Sequence, residues 1–268
     1  MASFTLPQHH LAAFLKPFAS MDDLVVTVSD DRISAAGTLE RAFYIERWNT
    51  TDTTNEEGSI TLGQISLVLG LLKGLGDGSV SITVESDEDN VTFTGPKGFF
   101  RLPVLAAASS AAGVEAVSGM LRESEANNWV SFGTNGTFDY EAQFTASDFR
   151  VLRSVGSGIS SGALFAIICE GWAQPAITYA VVRDSVRVEH TLDPESMVCE
   201  TEDAITQWFG KWLADAIKAM PGSGNVTLRG GNDCPLIISH QYADEENGVQ
   251  TGTTVVIAPR QEDAGGAA

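Results

Sequence analysis

The sequence contains the same structural plan twice, at a spacing of roughly 146 residues. The stretch Ser79-Val80-Ser81-Ile82 in the first half corresponds to Asn225-Val226-Thr227-Leu228 in the second. Each follows a helical stretch with a late lysine and a turn that contains glycine. A repeat at a fixed spacing requires a fold in which one supersecondary unit is built twice. We therefore predict an α+β protein with two copies of a two-helix, many-stranded domain.

The first copy begins with a helical pattern over 8–19, in which Leu11, Phe14, Leu15 and Phe18 recur at helical spacing. Short strand-like runs follow and are separated by polar turns. A second helix is predicted over 62–73, ended by the glycines that follow it. Three more strand-like runs, starting at 79, 90 and 99, complete the copy.

The second copy starts with a helix predicted over about 144–155, for which Thr145 or Ser147 is the expected N-cap residue. Strand-like runs and a longer helix over 201–220 come next. Trp208 and Trp212 are four residues apart in that helix and are expected to pack in the core rather than stack on bases. Three strands again close the copy.

These patterns predict an N-terminal domain over 1–103, an interdomain connector over 104–143 and a C-terminal domain over 144–261. The connector is rich in Ala, Ser, Gly and Asn. The remaining residues, 262–268, are predicted to form a disordered tail. A hydrophobic content of 43% is ample for a core in each domain.

The chain is strongly acidic: 35 acidic residues against 16 basic ones give a formal charge of −19, and only five of the basic residues are lysines. A uniformly acidic surface repels nucleic acid and anionic membranes. An acid-rich, lysine-poor composition is also typical of proteins that stay hydrated in the concentrated salt of halophiles.

The basic residues are concentrated in the predicted helices. These four stretches hold six basic residues and four acids, Asp148, Glu202, Asp203 and Asp215, whereas the rest of the chain holds 31 acids and 10 bases. Solvated helix faces explain any single lysine. The set of four helices together favours a shared positive surface.

Sequence motifs for catalysis are missing. No GxxxxGK[ST] or HExxH motif occurs, and the cysteines Cys169, Cys199 and Cys234 fit neither a disulfide framework nor a zinc knuckle, so we expect buried or idle thiols. No export signal or membrane span is evident. We predict a protein that is not an enzyme, has no cofactor or metal, and remains in the cytoplasm without a membrane partner.

The C-terminal part resembles a known family. The stretch MPGSGNVTLRGGNDCPLIISHQY and the closing VVIAPRQ, which places Ala258-Pro259-Arg260 directly after the last strand of the second copy, resemble the sliding clamps of the proliferating cell nuclear antigen type. The resemblance covers most of the chain in plan and is closest at residue level over 201–261.

The resemblance implies a homotrimeric ring around double-stranded DNA that tethers DNA polymerase, is opened by a clamp loader, and binds peptides of ligases and nucleases in replication and repair. It implies that the protein is located near the prokaryotic nucleoid and is encoded by a halophilic cell or by a virus. The predicted DNA-facing residues are Lys16, Lys73, Arg150, Arg153, Lys211 and Lys218, with His9 and His10 at the edge of the first helix. The predicted partner-peptide residues are Leu39, Phe43, Ile45, Phe138, Ile257, Ala258 and Pro259.

Two other classes of function stay open at this point. A duplicated β-rich chain is also suitable as a virion component or other assembly protein. A small-molecule enzyme with a site spread over several loops is the third alternative. The positive helices argue against both.

Overall fold

A computed structural model describes residues 2–39, 42–51, 56–84, 90–104, 111–133, 136–173, 175–232, 234–244 and 249–260. The first elements in it are β1 (Ala2–Pro7), α1 (Gln8–Leu15), β2 (Asp23–Val28), β3 (Arg32–Leu39), β4 (Phe43–Thr50), β5 (Gly58–Gly63), α2 (Ile65–Leu72), β6 (Ser79–Val84), β7 (Asn90–Gly95) and β8 (Gly98–Pro103). Then follow α3 (Ala111–Ala126), β9 (Tyr140–Thr145), α4 (Ala146–Val151), β10 (Leu164–Cys169), β11 (Ile177–Arg183), β12 (Val186–Leu192), β13 (Ser196–Cys199), β14 (Ile205–Phe209), α5 (Lys211–Ala219), β15 (Asn225–Gly231), β16 (Cys234–Asp244) and β17 (Val249–Ile257).

The chain divides into two compact units. Unit 1 comprises Met1–Ser118 and Gln241–Thr254, and unit 2 comprises Gly119–His240 and Val255–Ala268. Unit 1 therefore includes a segment from near the end of the chain. The predicted limits at 103 and 143 stay a prediction, and the predicted tail, 262–268, lies outside the described residues.

Strand register shows the duplication directly. In unit 1, β1 pairs antiparallel with β6, and Pro7, the residue before α1, lies opposite Ser79. In unit 2, β9 pairs antiparallel with β15, and Thr145, the residue before α4, lies opposite Asn225. The two stretches that revealed the repeat in the sequence thus occupy the same place in each unit. The predicted duplicated α+β fold is confirmed.

Each unit contains two groups of hydrogen-bonded strands, and β16 and β17 each have residues in both units. In unit 1 the strand orders are β1-β6-β7-β8 and β4-β3-β2-β5. In unit 2 they are β12-β11-β10-β14 and β13-β9-β15-β16. The helices pack in pairs within each unit, α1 with α2 and α4 with α5.

The first helix pair is held by an apolar stripe at helical spacing. Leu11 and Phe14 of α1 and Val68 and Leu72 of α2 are essentially inaccessible to solvent. Each such side chain contributes about 1.5–3 kcal/mol when it leaves water. Short 3-10 turns, Lys16–Phe18 and Lys73–Leu75, end both helices.

The second helix pair follows the same rule. Phe149 of α4 and Leu213 and Ile217 of α5 are buried, so these helices expose only their other faces. Thr145 is the N-cap of α4, as expected, and its hydroxyl oxygen accepts a hydrogen bond of 3.2 Å from the amide of Asp148.

The predicted helix over 201–220 is wrong in its first half. Residues Ile205–Phe209 form strand β14, and the helix begins only at Lys211, after Gly210. Apolar residues three and four apart span the strand–helix junction and imitate a helical pattern. The expected helical Trp208–Trp212 pair is therefore wrong as well, since Trp208 lies on β14 and packs against Ala166, Ile168 and Ala180.

The predicted connector region contains a helix that was not predicted, α3. Its apolar periodicity is weak, and Leu121 and Ser124 are its only buried residues. Strands β1, β9 and β13 were also not predicted, because each is short and lies beside a loop or a helix start. No helix in the described part of the chain combines the length and apolar character that a membrane crossing requires.

Candidate nucleic-acid interface and partner-binding residues

The helix pair of unit 1 presents four of the predicted DNA-facing residues. Lys16, Lys73, His9 and His10 are all exposed, at the ends of α1 and α2. The His9 and His10 rings lie 4.2 Å apart. Partial burial and the neighbouring His9 lower the pKa of His10. Both helices and their 3-10 turns lack any carboxylate.

In unit 2, Lys211 and Lys218 are the first residue and the eighth residue of α5. Seven residues make about two helical turns, so both side chains point from the same face. The Lys211 ammonium lies 4.2 Å from the centre of the Trp212 ring. Lys218 Nζ lies 3.6 Å from Asp215 Oδ1, and both groups are solvent-exposed. The two lysines therefore remain accessible to an anionic ligand.

The two arginines of unit 2 that are predicted to face DNA, Arg150 and Arg153, differ in their surroundings. Arg150, in the last turn of α4, is exposed. Arg153 donates hydrogen bonds to the carbonyl oxygens of Met220 and, at 3.4 Å, of Ile217. Partial burial and the charge of Arg150 lower the pKa of Arg153. Arg153 thus caps the last carbonyls of α5 and holds the helix pair together while it adds positive charge.

The corrected helix limits strengthen the charge contrast that the sequence suggested. Glu202 and Asp203 precede β14 and belong to no helix. Only Asp148 and Asp215 remain as acids in the two helix pairs. By contrast, α3 carries three glutamates and a single arginine. The positive character therefore belongs to the paired helices and is not shared by every helix.

The exposed face of α2 has a feature that the sequence reading did not single out. Leu67 and Leu71, one turn apart, are 45% and 37% exposed. Gly70 lies between them on the same helix and is exposed too. The signal in the sequence was an apolar run without a polar face, which is unusual for a surface helix.

The predicted partner-peptide residues of unit 1 lie on two neighbouring strands. Leu39, at the end of β3, is half-buried and lies opposite Phe43 in the antiparallel register. Phe43 and Ile45 are buried on β4. Their side chains contribute to the core of unit 1, and their role in binding a peptide stays a proposal.

In unit 2, β17 ends at Ile257, as predicted from the proline that follows. Ile257 is buried, Ala258 is exposed and Pro259 is half-buried. The amide of Arg260 donates a hydrogen bond of 2.8 Å to the carbonyl of Trp208 on β14. The chain after the last strand is thus held against the unit, with Ala258 facing solvent.

Phe138, the remaining predicted peptide residue, belongs to an aromatic cluster of unit 2. Its ring lies 6.1 Å from that of Trp129 and 6.4 Å from that of Phe132, both in edge-to-face geometry. Arg229 lies 4.3 Å above the Trp129 ring and bonds Glu141 at 2.7 Å. Phe138 is half-buried here, so part of its ring is exposed.

β8 and β12 are each the last strand of a sheet order, so within the described part of the chain each has an unpaired outer edge. β8 ends the order β1-β6-β7-β8 in unit 1, and β12 ends the order β12-β11-β10-β14 in unit 2. Among the described residues no strand pairs with the outer side of either. Both edges expose apolar side chains, Phe99 at 66% and Val186 at 47%. An open edge with exposed apolar residues is a ready surface for another strand.

The described residues contain no group of three or more His, Cys, Asp or Glu side chains that could hold a metal ion. Neither a family model nor a curated protein matches the sequence. The comparison with known proteins therefore depends on solved structures.

These structures are sliding clamps. The chain is similar to a PCNA from Thermococcus kodakaraensis (13% identity, 97% of this chain and 100% of that chain, TM-score 0.65) and to an A. fulgidus PCNA described with the C-terminal region of FEN-1 bound (12% identity, 98% and 100%, TM-score 0.69). It is also similar to a putative DNA polymerase III beta subunit from Eubacterium rectale (11% identity, 97% and 65%, TM-score 0.69). The chain spans only 65% of that bacterial subunit. At these identities the likeness shows that the chain has the clamp fold.

Proposed function

We propose that the protein is a DNA sliding clamp, a ring that encircles duplex DNA and tethers polymerase and other replication and repair proteins to it. The observation that carries the proposal is the charge distribution on the duplicated clamp fold. A chain of charge −19 keeps its paired helices free of all acids except Asp148 and Asp215. Those helices present the exposed lysines and histidines described above.

Positively charged helix faces in an otherwise acidic chain favour an anionic ligand that binds only at those faces. Lysine and arginine contacts to phosphate do not depend on base sequence, and the affinity that they supply weakens with salt. A ring holds its DNA by topology, so modest contacts suffice and sliding stays possible. Retention by topology is most useful in concentrated salt, which the acidic composition suits.

A closed ring needs a heterologous contact between copies, and we propose that the outer edges of β8 and β12 form it. If β8 of one copy pairs with β12 of the next, the same contact repeats around the ring and closes when the rotation fits. We propose a homotrimer, as the sequence resemblance implies. Strand addition at open edges also satisfies backbone groups that are otherwise left to water.

The partners that we propose are double-stranded DNA, DNA polymerase, a clamp loader, and short peptides of ligases and nucleases. A structural neighbour described with a bound FEN-1 C-terminal region supports the peptide partners. We propose a role without catalysis, near the nucleoid of a halophilic cell or encoded by a virus. The predicted peptide residues, with Ala258 as the exposed one, form part of this proposal.

The first test is the solution mass of the chain, measured by light scattering from below about 0.2 M to above 1 M salt. A single chain is 28.5 kDa, and we expect three times this mass. Phe99→Asp places a charge on the open edge of β8, and we expect it to yield monomers. Trp172→Asp changes another exposed aromatic residue, which lies on no strand, and it should leave the trimer intact.

A strict monomer at every salt concentration would remove the topological mechanism. An assembly that grows without limit would favour a virion or other structural protein over a closed ring. If both variants dissociate to the same extent, the contact does not use the β8 edge.

A further inference from the structure

Two of the three cysteines lie together in unit 2 although thirty positions separate them. Cys169 is the last residue of β10, Cys199 is the last residue of β13, and their sulfur atoms are 3.5 Å apart. The third, Cys234, donates instead to the carbonyl of Pro235 at 3.4 Å. The sequence predicted buried or idle thiols, and burial is confirmed for Cys169 and Cys234. The close pair was not predicted, because no local pattern reveals which strand ends meet.

The backbone on both sides of the pair is fixed by strand pairing. Cys169 lies opposite Ile205 of β14, and Cys199 lies opposite Tyr140 of β9. Both thiols approach one acceptor, the carbonyl oxygen of Glu170, at 3.4 Å each. The closeness of the two sulfur atoms therefore follows from the placement of two strands.

The chain segments that follow the two cysteines also touch. The Trp172 amide donates a hydrogen bond of 2.8 Å to the carbonyl of Thr201. A Cβ atom at position 171 would lie 2.0 Å from the carbonyl oxygen of Glu202, so only Gly171 allows this approach. This second contact, independent of the thiols, keeps the strand ends in place.

We propose that Cys169 and Cys199 are a modification site at which a peroxide forms a reversible disulfide. A disulfide requires a sulfur separation of about 2.05 Å, so the two atoms must approach by about 1.5 Å. We expect rotation of the two side chains to supply a movement of this size. The same cysteine pair returns to two thiols when a dithiol reductant exchanges with the bond.

The exposure of the two thiols sets the order of events. Cys199 is half-buried, whereas Cys169 is fully buried, so a hydroperoxide meets Cys199 first. The Cys199 sulfur attacks one oxygen of hydrogen peroxide, the O–O bond breaks, and the released hydroxide takes up the thiol proton and leaves as water. Cys199 is now a sulfenic acid.

In the second step the Cys169 sulfur attacks the Cys199 sulfur, and the S–O bond breaks. The hydroxide that leaves combines with the proton of Cys169 to give a second water. Two thiols have then lost two electrons to one peroxide. Burial raises the pKa of the Cys169 thiol, so Cys169 enters this step as a thiol and loses its proton as the S–S bond forms.

The new bond would connect two groups of strands within unit 2. Cys169 belongs to the order β12-β11-β10-β14, and Cys199 lies on β13, next to β9. The enclosed loop contains β11 and β12. We expect the oxidised protein to unfold at a temperature several degrees higher than the reduced protein, because the loop loses freedom in the unfolded state.

The test uses the full chain, reduced and then treated with hydrogen peroxide. Free thiols are alkylated after denaturation, and the intact mass is measured. We expect one alkyl group, on Cys234, and a chain lighter by two hydrogen atoms, with a peptide map that joins Cys169 to Cys199. Treatment with a dithiol should restore three alkyl groups.

Cys234→Ser is the matched control, and it should still form the bond. Cys199→Ser removes the half-buried partner and should leave no crosslink. Three alkyl groups in oxidised wild-type protein, a stable sulfenic acid at Cys199, or a crosslink to Cys234 would each overturn the proposal. The wild-type mass decides the question even if a variant fails to fold.

Discussion

The charge-reversing pair Lys211→Glu and Lys218→Glu is the sharpest test of the proposed DNA-facing surface. Each lysine that contacts one phosphate contributes about 0.9 to the slope of log affinity against log salt. Loss of both contacts should lower that slope by about 1.8 per bound chain. At low salt we expect binding of a short linear duplex to weaken by tenfold or more.

The double variant should fold, because its local effects on α5 oppose one another. Lys211 occupies the first turn of the helix, where a carboxylate is favoured over a cation by ~0.3–1 kcal/mol. Its loss also removes the contact with the Trp212 ring, worth ~0.5–1 kcal/mol at an exposed site. Lys218 occupies the last turn, where the dipole preference is reversed and the exposed Asp215 pair is worth ~0.5 kcal/mol or less. We expect the free energy of unfolding to fall by no more than about 2 kcal/mol.

Fluorescence anisotropy of a labelled duplex across a salt series measures the slope directly. Lys97→Glu with Arg122→Glu is the matched control, since both are exposed, lie outside the paired helices and change the net charge equally. Light scattering at each salt concentration confirms that both variants assemble like the wild type. An unchanged slope in the double variant, or an equal loss in the control, would refute the assignment of this helix face.

Two further predictions concern unit 2. Tyr140→Phe removes the donor of a 2.7 Å hydrogen bond to Gln207 Oε1 and leaves a buried acceptor without a partner. The free energy of unfolding measured in urea should therefore fall by ~1–3 kcal/mol. Tyr242→Phe, at an exposed position, should change it by no more than about 0.5 kcal/mol. Equal losses in the two variants would contradict the buried bond. Ala258→Asp with Pro259→Asp introduces charge into the proposed peptide-binding surface. The affinity for a fluorescent peptide with apolar and aromatic residues, of the kind polymerases carry, should therefore fall by about tenfold or more. Undiminished affinity by anisotropy would refute that surface.

Most strands could be predicted because alternation of apolar and polar residues is a local signal. Residues 79–84 and 225–231 show it, and the structure pairs them with β1 and β9. The junction at Gly210 could not be predicted in the same way. Apolar spacing that crosses a strand–helix boundary looks helical whichever element each residue joins. Only the pairing of β14 with β10 shows that residues 205–209 form a strand and not the start of a helix.

The residues of the proposed site could be named from the sequence, but their surroundings could not. The sequence shows that Arg153 is a basic residue near a helix, but its bonds to the carbonyls of Ile217 and Met220 depend on how α4 and α5 pack. The Cys169–Cys199 pair is a stronger case of the same limit. Its two members belong to different strand pairings, and nothing in a spacing of thirty residues brings them together.

Lys211 shows why the charge pattern indicates a ligand. The N-terminus of a helix disfavours a cation, and an acid there would stabilise α5. The chain has 35 acidic residues and only five lysines, yet a lysine occupies this position. The Trp212 ring offsets part of the cost by lying 4.2 Å below the ammonium. Lys211 destabilises its own helix, in a chain whose composition favours an acid at this position. Such a residue is expected where a function requires it. Under the proposed function, an anion bound at the exposed ammonium would supply the missing interaction, and the phosphates of DNA are such anions.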